Sequence, residues 1–170
     1  MRVIRSFMET TGLFLKAAVF AGFIILFVAQ VTVVHGHSME PNIHPEQRII
    51  VEKIGYKFYE PQRGDVVVIE VPDSEIPLIK RVIGLEGETV EIMDNQVYIN
   101  GSVLNESYLT NIRQSDYGPT AVPVEHVFVM GDNRSSSRDS RAFGPVDIYR
   151  ITGRAWFSIW PVEQFGAVGE

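Results

Sequence analysis

A long apolar run near the N-terminus constrains the fold more than any other feature of this sequence. Between Gly12 and Val34 the only charged residue is Lys16, and the stretch from Ala17 to Val34 carries no charge. A helix needs about 20 largely apolar residues to cross a bilayer, and this run meets that length. The sequence therefore predicts a single transmembrane helix that anchors whatever follows it.

The charges before the run predict its orientation. Arg2, Arg5 and Lys16 precede the uncharged stretch that begins at Ala17, and the positive-inside rule places residue 1 in the cytoplasm. A cleaved secretory signal peptide is the alternative, but its apolar core is normally about 7–15 residues long. This run is longer, and the best cleavage site, Val34-His35-Gly36, fits the small-x-small pattern poorly. We predict an uncleaved, single-pass anchor in the cell membrane, with an internal membrane such as a thylakoid left open.

After the anchor, the pattern changes to short runs rich in β-branched residues. These runs predict strands: Arg48 to Ile54, Asp65 to Val71, Ile79 to Leu85, Glu88 to Met93, Gln96 to Gly101, His126 to Asp132 and Ile151 to Trp160. Asp94-Asn95 and Asn100-Gly101 fit tight hairpin turns, and no sustained helical period follows residue 35. We predict a mainly β chain: residues 1–34 as cytoplasmic N-terminus and anchor, and residues 35–170 as one antiparallel β-sheet domain outside the membrane.

Composition excludes several classes of function. The chain has no cysteine, which rules out disulfides, thiolate metal sites and cysteine nucleophiles. The net charge of −6 argues against a nucleic-acid-binding protein. The histidines lack the spacing of common zinc motifs, so we predict neither a metal nor a cofactor. Composition says nothing about the oligomeric state.

Ser38 lies four residues after the apolar run and is a candidate nucleophile. His37 is a poor base for it, because neighbouring side chains on an extended strand point to opposite faces. His35 shares the face of His37. His126 could approach Ser38 through folding, so a serine–histidine pair stays open at this point.

Lysine is the other residue that could activate Ser38. An ordinary lysine titrates near pH 10.4, but burial among apolar groups can lower its pKa by up to about 3–5 units, which yields a competent base. Lys80 lies within an apolar run, preceded by Pro77-Leu78-Ile79 and followed, after Arg81, by Val82-Ile83. On position alone, an exposed strand lysine is the alternative.

Four segments occur in order behind the apolar run: SMEP from Ser38, RGDVVV from Arg63, KRVIGLEGE from Lys80 and MGDNRSSSRDSRAFGPV from Met130. Together they resemble the successive sequence boxes of bacterial type I signal peptidases, over nearly the whole chain. The resemblance implies a membrane-bound serine endopeptidase that removes signal peptides from translocated preproteins. Cleavage would follow small residues in an Ala-x-Ala pattern, by a Ser-Lys dyad and an acyl-enzyme.

The resemblance also implies roles for single residues. Ser38 would be the nucleophile, with its backbone N–H in the oxyanion hole, and Lys80 the general base. The supporting residues would be Ser137, Asp139, Arg141, Arg81 and Asp132. Some family members carry a hydroxyl two residues before the nucleophile, where this chain has Gly36. Backbone donors, a water or another group would then complete the oxyanion hole.

The substrate would dock as an added β-strand, with small side chains entering shallow apolar pockets. By the resemblance, the pocket walls would be Val34, Met39, Ile43, Leu78 and Ile79, although core packing is an equal alternative at Ile43 and Leu78. Trp156 and Trp160 could contact the membrane surface, but we expect at least one of them in the core.

Three other functions remain as alternatives. A self-cleaving repressor-type protease shares the Ser-Lys chemistry, but the predicted anchor argues against it. An inactive, membrane-tethered β-domain that binds partners would not require both Ser38 and Lys80 in matched boxes. A serine hydrolase with His126 as its base would explain none of the four boxes.

Overall fold

The computed structural model describes residues 2–23, 28–72, 74–110 and 112–169, and its side chains from residue 11 onward except in the segment 23–27. Helix α1 spans Arg2–Phe23 and strand β1 spans Ala29–Val33. Of the helices in the described residues, none combines enough length with enough apolar character to cross a membrane.

The predicted helix from Gly12 to Val34 is wrong for its last residues. Ala29–Val33 form β1, which pairs antiparallel with β2, Arg48–Glu52. Valines alternate here with the polar residues Gln30 and Thr32, which is the period of a strand and not of a helix. Part of the predicted anchor, residues 24–27, lies outside the described residues.

The prediction of a mainly β, antiparallel fold is confirmed, but the strands form two sheets. The larger one has the order β1-β2-β11-β3-β4-β9-β10, with β12 paired to β11. Its further strands are β3 (Val66–Ile69), β4 (Leu78–Gly84), β9 (His126–Met130), β10 (Val146–Asp147), β11 (Ile151–Trp160) and β12 (Gly166–Ala167). Central strand β4 pairs with β3 and β9, so Lys80 and Arg81 lie in the middle of the sheet.

The smaller sheet has the order β7-β6-β5-β8. Its strands are β5 (Thr89–Met93), β6 (Gln96–Ile99), β7 (Ser102–Val103) and β8 (Tyr117–Ala121). Both predicted turns are present: Asp94 and Asn95 have φ values of 50° and 64°, and Asn100 and Gly101 have 52° and 77°. These left-handed conformations suit a two-residue hairpin, in which Asn, Asp and Gly are favoured.

The two sheets pack together through an apolar cluster. Ile83 and Phe128 of the larger sheet and Val90 of the smaller sheet are fully buried within it. Gly84 permits this close approach, because a Cβ there would lie 2.5 Å from the Val90 side chain. The chain therefore leaves the larger sheet directly after Gly84, at an irregularity in the β4–β9 register, and this departure divides the fold into two sheets.

The remaining helical segments are short. Helix α2 spans Ser140–Phe143, and 3-10 turns occupy Gly55–Lys57, Ile148–Arg150 and Val162–Gln164. The expectation of a core position for at least one tryptophan is wrong. Trp156 is 57% exposed and Trp160 is 54% exposed, on the same strand β11.

Candidate active site

Ser38 and Lys80 meet at the site, although 41 residues separate them in the chain. The Lys80 amine donates a hydrogen bond of 2.8 Å to Ser38 Oγ and another of 2.8 Å to the Ile79 carbonyl. Lys80 is only 2% exposed, because β4 lies in the centre of its sheet. The exposed-lysine alternative is thereby excluded, and the nucleophile candidate and the base candidate are within reach of a direct proton transfer.

Burial lowers the pKa of Lys80 from its ordinary value of 10.5 to about 8. The negative charges of Asp139 and Asp132 oppose this shift, while the positive charge of Arg141 adds to it. About a tenth of the amine is therefore neutral at pH 7, compared with less than about one in a thousand for an ordinary lysine. A serine hydroxyl beside a neutral amine is an arrangement that supports nucleophilic catalysis.

The loop of Ser38 is held from the loop that follows β9. The backbone N–H of Asn133 donates to the Ser38 carbonyl at 3.0 Å, and the Asn133 amide Nδ2 donates to the His37 carbonyl at 3.1 Å. Gly131 allows the two loops to approach, because a Cβ there would collide with the Ser38 carbonyl and with Ser137 Oγ. The nucleophile is thus fixed by backbone contacts as well as by Lys80.

Arg81 and Asp132 form a fully buried ion pair next to the site. Arg81 Nε lies 2.8 Å from Asp132 Oδ1, and Nη2 lies 2.6 Å from Oδ2. Asn42 Nδ2 donates to the same carboxylate at 2.8 Å, and the Tyr108 ring lies 4.1 Å from the guanidinium carbon of Arg81. Because Asn42 belongs to the Ser38 loop and Arg81 follows Lys80, this group joins the segments that carry the two central side chains.

Asp139 and Arg141 form a second ion pair at the start of α2. The Asp139 carboxylate accepts from Arg141 Nε at 2.8 Å, from Arg141 Nη2 at 2.7 Å and from the Gly131 N–H at 2.9 Å. Burial alone would raise the pKa of Asp139, but Arg141, the Gly131 N–H and Ser137 together hold that pKa below its ordinary value. Asp139 is therefore ionised beside Lys80 at neutral pH.

Ser137 brings a buried hydroxyl to this cluster. Within the described part of the chain, its Oγ makes no hydrogen bond of normal length and angle, yet it lies close enough to Asp139 to contribute to the low pKa of that carboxyl. A buried, unpaired hydroxyl is uncommon in a folded protein. The expected hydrogen bond from Ser137 to the Lys80 amine is not formed in this structure.

A cleft of about 500 Å³ opens on to Ser38 and Lys80. Its lining includes Thr32 and Val33 of the edge strand β1, and Leu78 and Ile79 of β4. Two extended segments of the chain therefore contribute to the lining of the cleft.

The five predicted pocket residues fall into two groups. Leu78 and Ile79 line the cleft. Val34, Met39 and Ile43 are instead buried in an apolar cluster against which Ile79 packs. The cleft wall and the core are thus in direct contact through Ile79.

His126 and His37 form their hydrogen bonds away from the Ser38 hydroxyl, whereas His35 lines the same cleft as Ser38. His126 begins β9, and its Nδ1 lies 2.8 Å from the Val124 carbonyl. Four residues of extended chain lie between it and Gly131, so the two are about 16 Å apart. His37 Nδ1 pairs with Glu40 at 3.0 Å. Within the part of the chain that the structure describes, no group of three or more His, Asp or Glu side chains could hold a metal ion.

Three contributors to the site were not expected from the sequence. Asn133 and Asn42 act through contacts with residues 96 and 90 positions away, and no local pattern signals such pairs. The third is Arg134, whose guanidinium forms a buried ion pair with Glu106 and whose Nε donates to the Gly131 carbonyl at 3.0 Å. In the sequence, the only indication of a role for Arg134 is that a charged residue lies within a Ser-rich loop.

Comparison with known proteins identifies the class of this site. Residues 7–160 match the family model described as signal peptidase, peptidase S26. A probable signal peptidase I-2 from Synechocystis is 36% identical over 167 residues, which cover 95% of this chain and 77% of the relative. The signal peptidase I of Leptolyngbya laminosa is 40% identical over 151 residues, covering 84% of this chain and 74% of the relative.

A solved structure gives the same result. The crystal structure of a signal peptidase I from Enterococcus faecalis V583 matches with a TM-score of 0.52 and 37% identity, over 56% of this chain and 97% of that one. The protein is a serine endopeptidase. The chain belongs to the signal peptidase family, peptidase S26, and the resemblance seen in its four sequence boxes is confirmed.

Proposed function

We propose that the protein cleaves signal peptides from translocated preproteins by a Ser-Lys dyad. The observation that carries this proposal is the 2.8 Å hydrogen bond between the buried Lys80 amine and Ser38 Oγ. Ser38 attacks the scissile carbonyl while neutral Lys80 takes its proton. The protonated Lys80 then gives this proton to the leaving amino group, and an acyl-enzyme on Ser38 remains. Lys80 next takes a proton from water, which hydrolyses the ester and releases Ser38.

The surrounding residues support this chemistry. The Ser38 backbone N–H stabilises the oxyanion, a contribution often worth about 10²-fold or more in rate. Asp139 and Arg141 hold the loop against Gly131. Asp132 and Arg81, with Asn42, join the Ser38 loop to the strand of Lys80. Once Lys80 has taken the serine proton, its ammonium group has three N–H donors. The buried Ser137 hydroxyl, which has no partner among the described residues, then offers an acceptor for one of them.

The cleft supports a preference for small side chains. A substrate that lies extended between β1 and β4 directs alternate side chains towards the cleft floor, which fits an Ala-x-Ala pattern. Leu78 and Ile79 limit the available depth directly. Val34, Met39 and Ile43 limit it from below, because they form the core on which Ile79 rests.

A membrane location is part of the proposal. The basic residues before the apolar run favour an N-terminus in the cytoplasm and a catalytic domain on the outer side, with residues 1–34 as the membrane-associated part. Trp156 and Trp160 on β11 and Phe165, which precedes β12, are each exposed; we refer to them as the tryptophan surface. Tryptophan favours the membrane–water interface, so this surface rests against the lipid headgroups.

Cleavage of a preprotein with an Ala-x-Ala site, in detergent, tests the mechanism. Wild type and His126→Ala are expected to cleave, whereas Ser38→Ala and Lys80→Ala are expected to lose turnover by at least about 10³-fold. Ser136→Ala serves as the matched serine control, since Ser136 is exposed in the same loop region as Ser137. An active Lys80→Ala with an inactive His126→Ala would overturn the dyad. An inactive wild type would favour the membrane-tethered binding module.

A further inference from the structure

Asn133 holds the backbone on both sides of the Ser38 α-carbon. Its N–H donates to the Ser38 carbonyl at 3.0 Å, and its side-chain Nδ2 donates to the His37 carbonyl at 3.1 Å. The Glu40 N–H also reaches the His37 carbonyl, at 3.3 Å, but Glu40 belongs to the same loop and moves with it. Asn133 is therefore the contact that ties this carbonyl to a separate part of the fold.

The His37 carbonyl and the Ser38 N–H belong to a single peptide group. A peptide group is planar and its C=O and N–H point in nearly opposite directions, so a fixed carbonyl also fixes the direction of the N–H. Among the residues that the structure describes, none accepts a hydrogen bond from the Ser38 N–H. This donor is free for an oxyanion, and its direction is set by the Asn133 amide.

The Asn133 side chain is itself held in place. Its Oδ1 accepts from Ser135 Oγ at 3.2 Å, which leaves Nδ2 facing His37. Its chain neighbours are fixed by buried ion pairs, Asp132 with Arg81 and Arg134 with Glu106. Oxyanion stabilisation depends on donors that are oriented before the charge develops, and this loop provides that rigidity.

We propose that Asn133 is a positioning residue that orients the Ser38 N–H for the oxyanion, an inference that rests on the proposed Ser38 mechanism. Gly36 makes such a device more important, because it has no hydroxyl to serve as a second donor and lies at a φ of 80° beside the nucleophile loop. A carbonyl that accepts a hydrogen bond also polarises its own peptide N–H. Asn133 therefore improves both the direction and the strength of the donor.

The test compares Asn133→Ala with wild type in preprotein cleavage and in the binding of two peptide ligands. One ligand is an Ala-x-Ala peptide boronic acid, whose tetrahedral adduct on Ser38 places an oxygen in the oxyanion hole. The other carries a reduced CH₂–NH group at the scissile position and has no carbonyl oxygen. Ser136→Ala is the matched loop control, and Asn133→Asp replaces the alanine variant should that variant not fold.

The expected result is a loss of about tenfold in kcat, smaller than the ~10²–10³-fold loss of a direct oxyanion donor. Affinity for the boronic acid falls by the same factor, while affinity for the reduced peptide and the pH midpoint of activity stay unchanged. Equal losses for both ligands, an altered pH midpoint or full activity would overturn the proposal. Cleavage by wild type and its loss in Ser38→Ala report separately on the proposed function.

Discussion

The burial of Lys80 lowers the free energy of unfolding and at the same time lowers the pKa of its amine. Its amine is buried in the centre of β4, and its pKa is about 8 instead of 10.5. Between these two values the unfolded chain binds the proton more tightly than the folded one, so stability rises with pH across this window. At pH 7 Lys80 is mostly charged although it is buried, and this lowers the stability of the folded protein. The same low pKa suits Lys80 to the proposed role of general base.

We predict that Lys80→Met stabilises the protein at pH 7. The shift of about 2.5 pKa units corresponds to a gain on the order of 3 kcal/mol in the free energy of unfolding. The gain shrinks below about 1 kcal/mol at pH 10, because the unfolded lysine is then also losing its charge. Urea unfolding at both pH values measures this, with the exposed Lys57→Met as control. Equal stability of Lys80→Met and wild type at pH 7 would contradict it.

Ile79 is predicted to limit the size of the substrate side chain. Ile79→Ala removes methyl groups from the cleft wall, and each methylene of pocket space is worth about 10–200-fold in discrimination. We expect the ratio of kcat/KM for a Val-x-Val site over an Ala-x-Ala site to rise at least about tenfold. Val168→Ala is the control, since Val168 packs on the same core cluster as Ile79. An unchanged ratio would mean that residues other than Ile79 limit the size of the substrate side chain.

Some of these single-residue roles could be predicted and others could not. The apolar surroundings of Lys80 in the sequence indicated a lowered pKa, and the four boxes singled out Ser38. The roles of Asn133 and Asn42 could not be predicted, because their hydrogen-bond partners depend on where two distant loops meet. The unpaired state of Ser137 Oγ likewise depends on local geometry that no sequence pattern encodes.

At the scale of elements, the loop from Gly131 to α2 sets the electrostatics of the base. Asp139 caps α2, and its carboxylate raises the pKa of Lys80 against the effect of burial. Arg141, which pairs with Asp139, lowers that pKa. The balance between these two charges therefore tunes the pH range in which Lys80 is neutral.

We predict that Asp139→Asn moves the pH midpoint of kcat/KM to lower pH. The substitution removes the negative charge that favours protonated Lys80 and leaves the Arg141 charge without its carboxylate. Breaking this buried pair also destabilises the fold by about 3–5 kcal/mol, so activity is measured well below the unfolding temperature. Glu163→Gln, an exposed neutralisation, is the control. A midpoint that stays fixed or moves to higher pH would contradict the assignment.

Most strands could be predicted, and the exceptions have physical reasons. Ile151–Trp160 is a strand over its whole predicted length, because its β-branched and aromatic residues favour strands. The sequence predicts a helix for Ala29–Val33, because the continuous apolar run masks the alternation of Gln30 and Thr32 with valine. The division into two sheets depends on the close approach at Gly84, a tertiary effect beyond any local signal.

At the scale of the whole molecule, the proposed function requires the cleft and the tryptophan surface to act on one substrate at a bilayer. β1 leads directly to the Ser38 loop, and only about 13 Å of extended chain separates Val34 from Ser38. The chain has two tryptophans, both more than half exposed on β11. Because no other tryptophan contributes, the fluorescence of the intact protein reports on this surface alone.

We predict that lipid acyl chains brominated near the headgroup quench this fluorescence in reconstituted vesicles. The full chain in brominated lipid should lose at least about half of its tryptophan emission relative to the same protein in ordinary lipid, because indole rings settle at the interface. Single Trp156→Phe and Trp160→Phe variants locate the contact. Emission equal in both lipids would mean that the surface faces water.

The pH dependence of kcat/KM tests the central claim, that a neutral Lys80 activates Ser38, most directly. Cleavage of an Ala-x-Ala preprotein by wild type and by His126→Ala is measured from pH 6 to pH 10. The account predicts that activity rises to a plateau with a midpoint near the Lys80 pKa of about 8, and that the two proteins give the same curve. A midpoint near 6.5, the ordinary pKa of histidine, that disappears in His126→Ala would contradict the account.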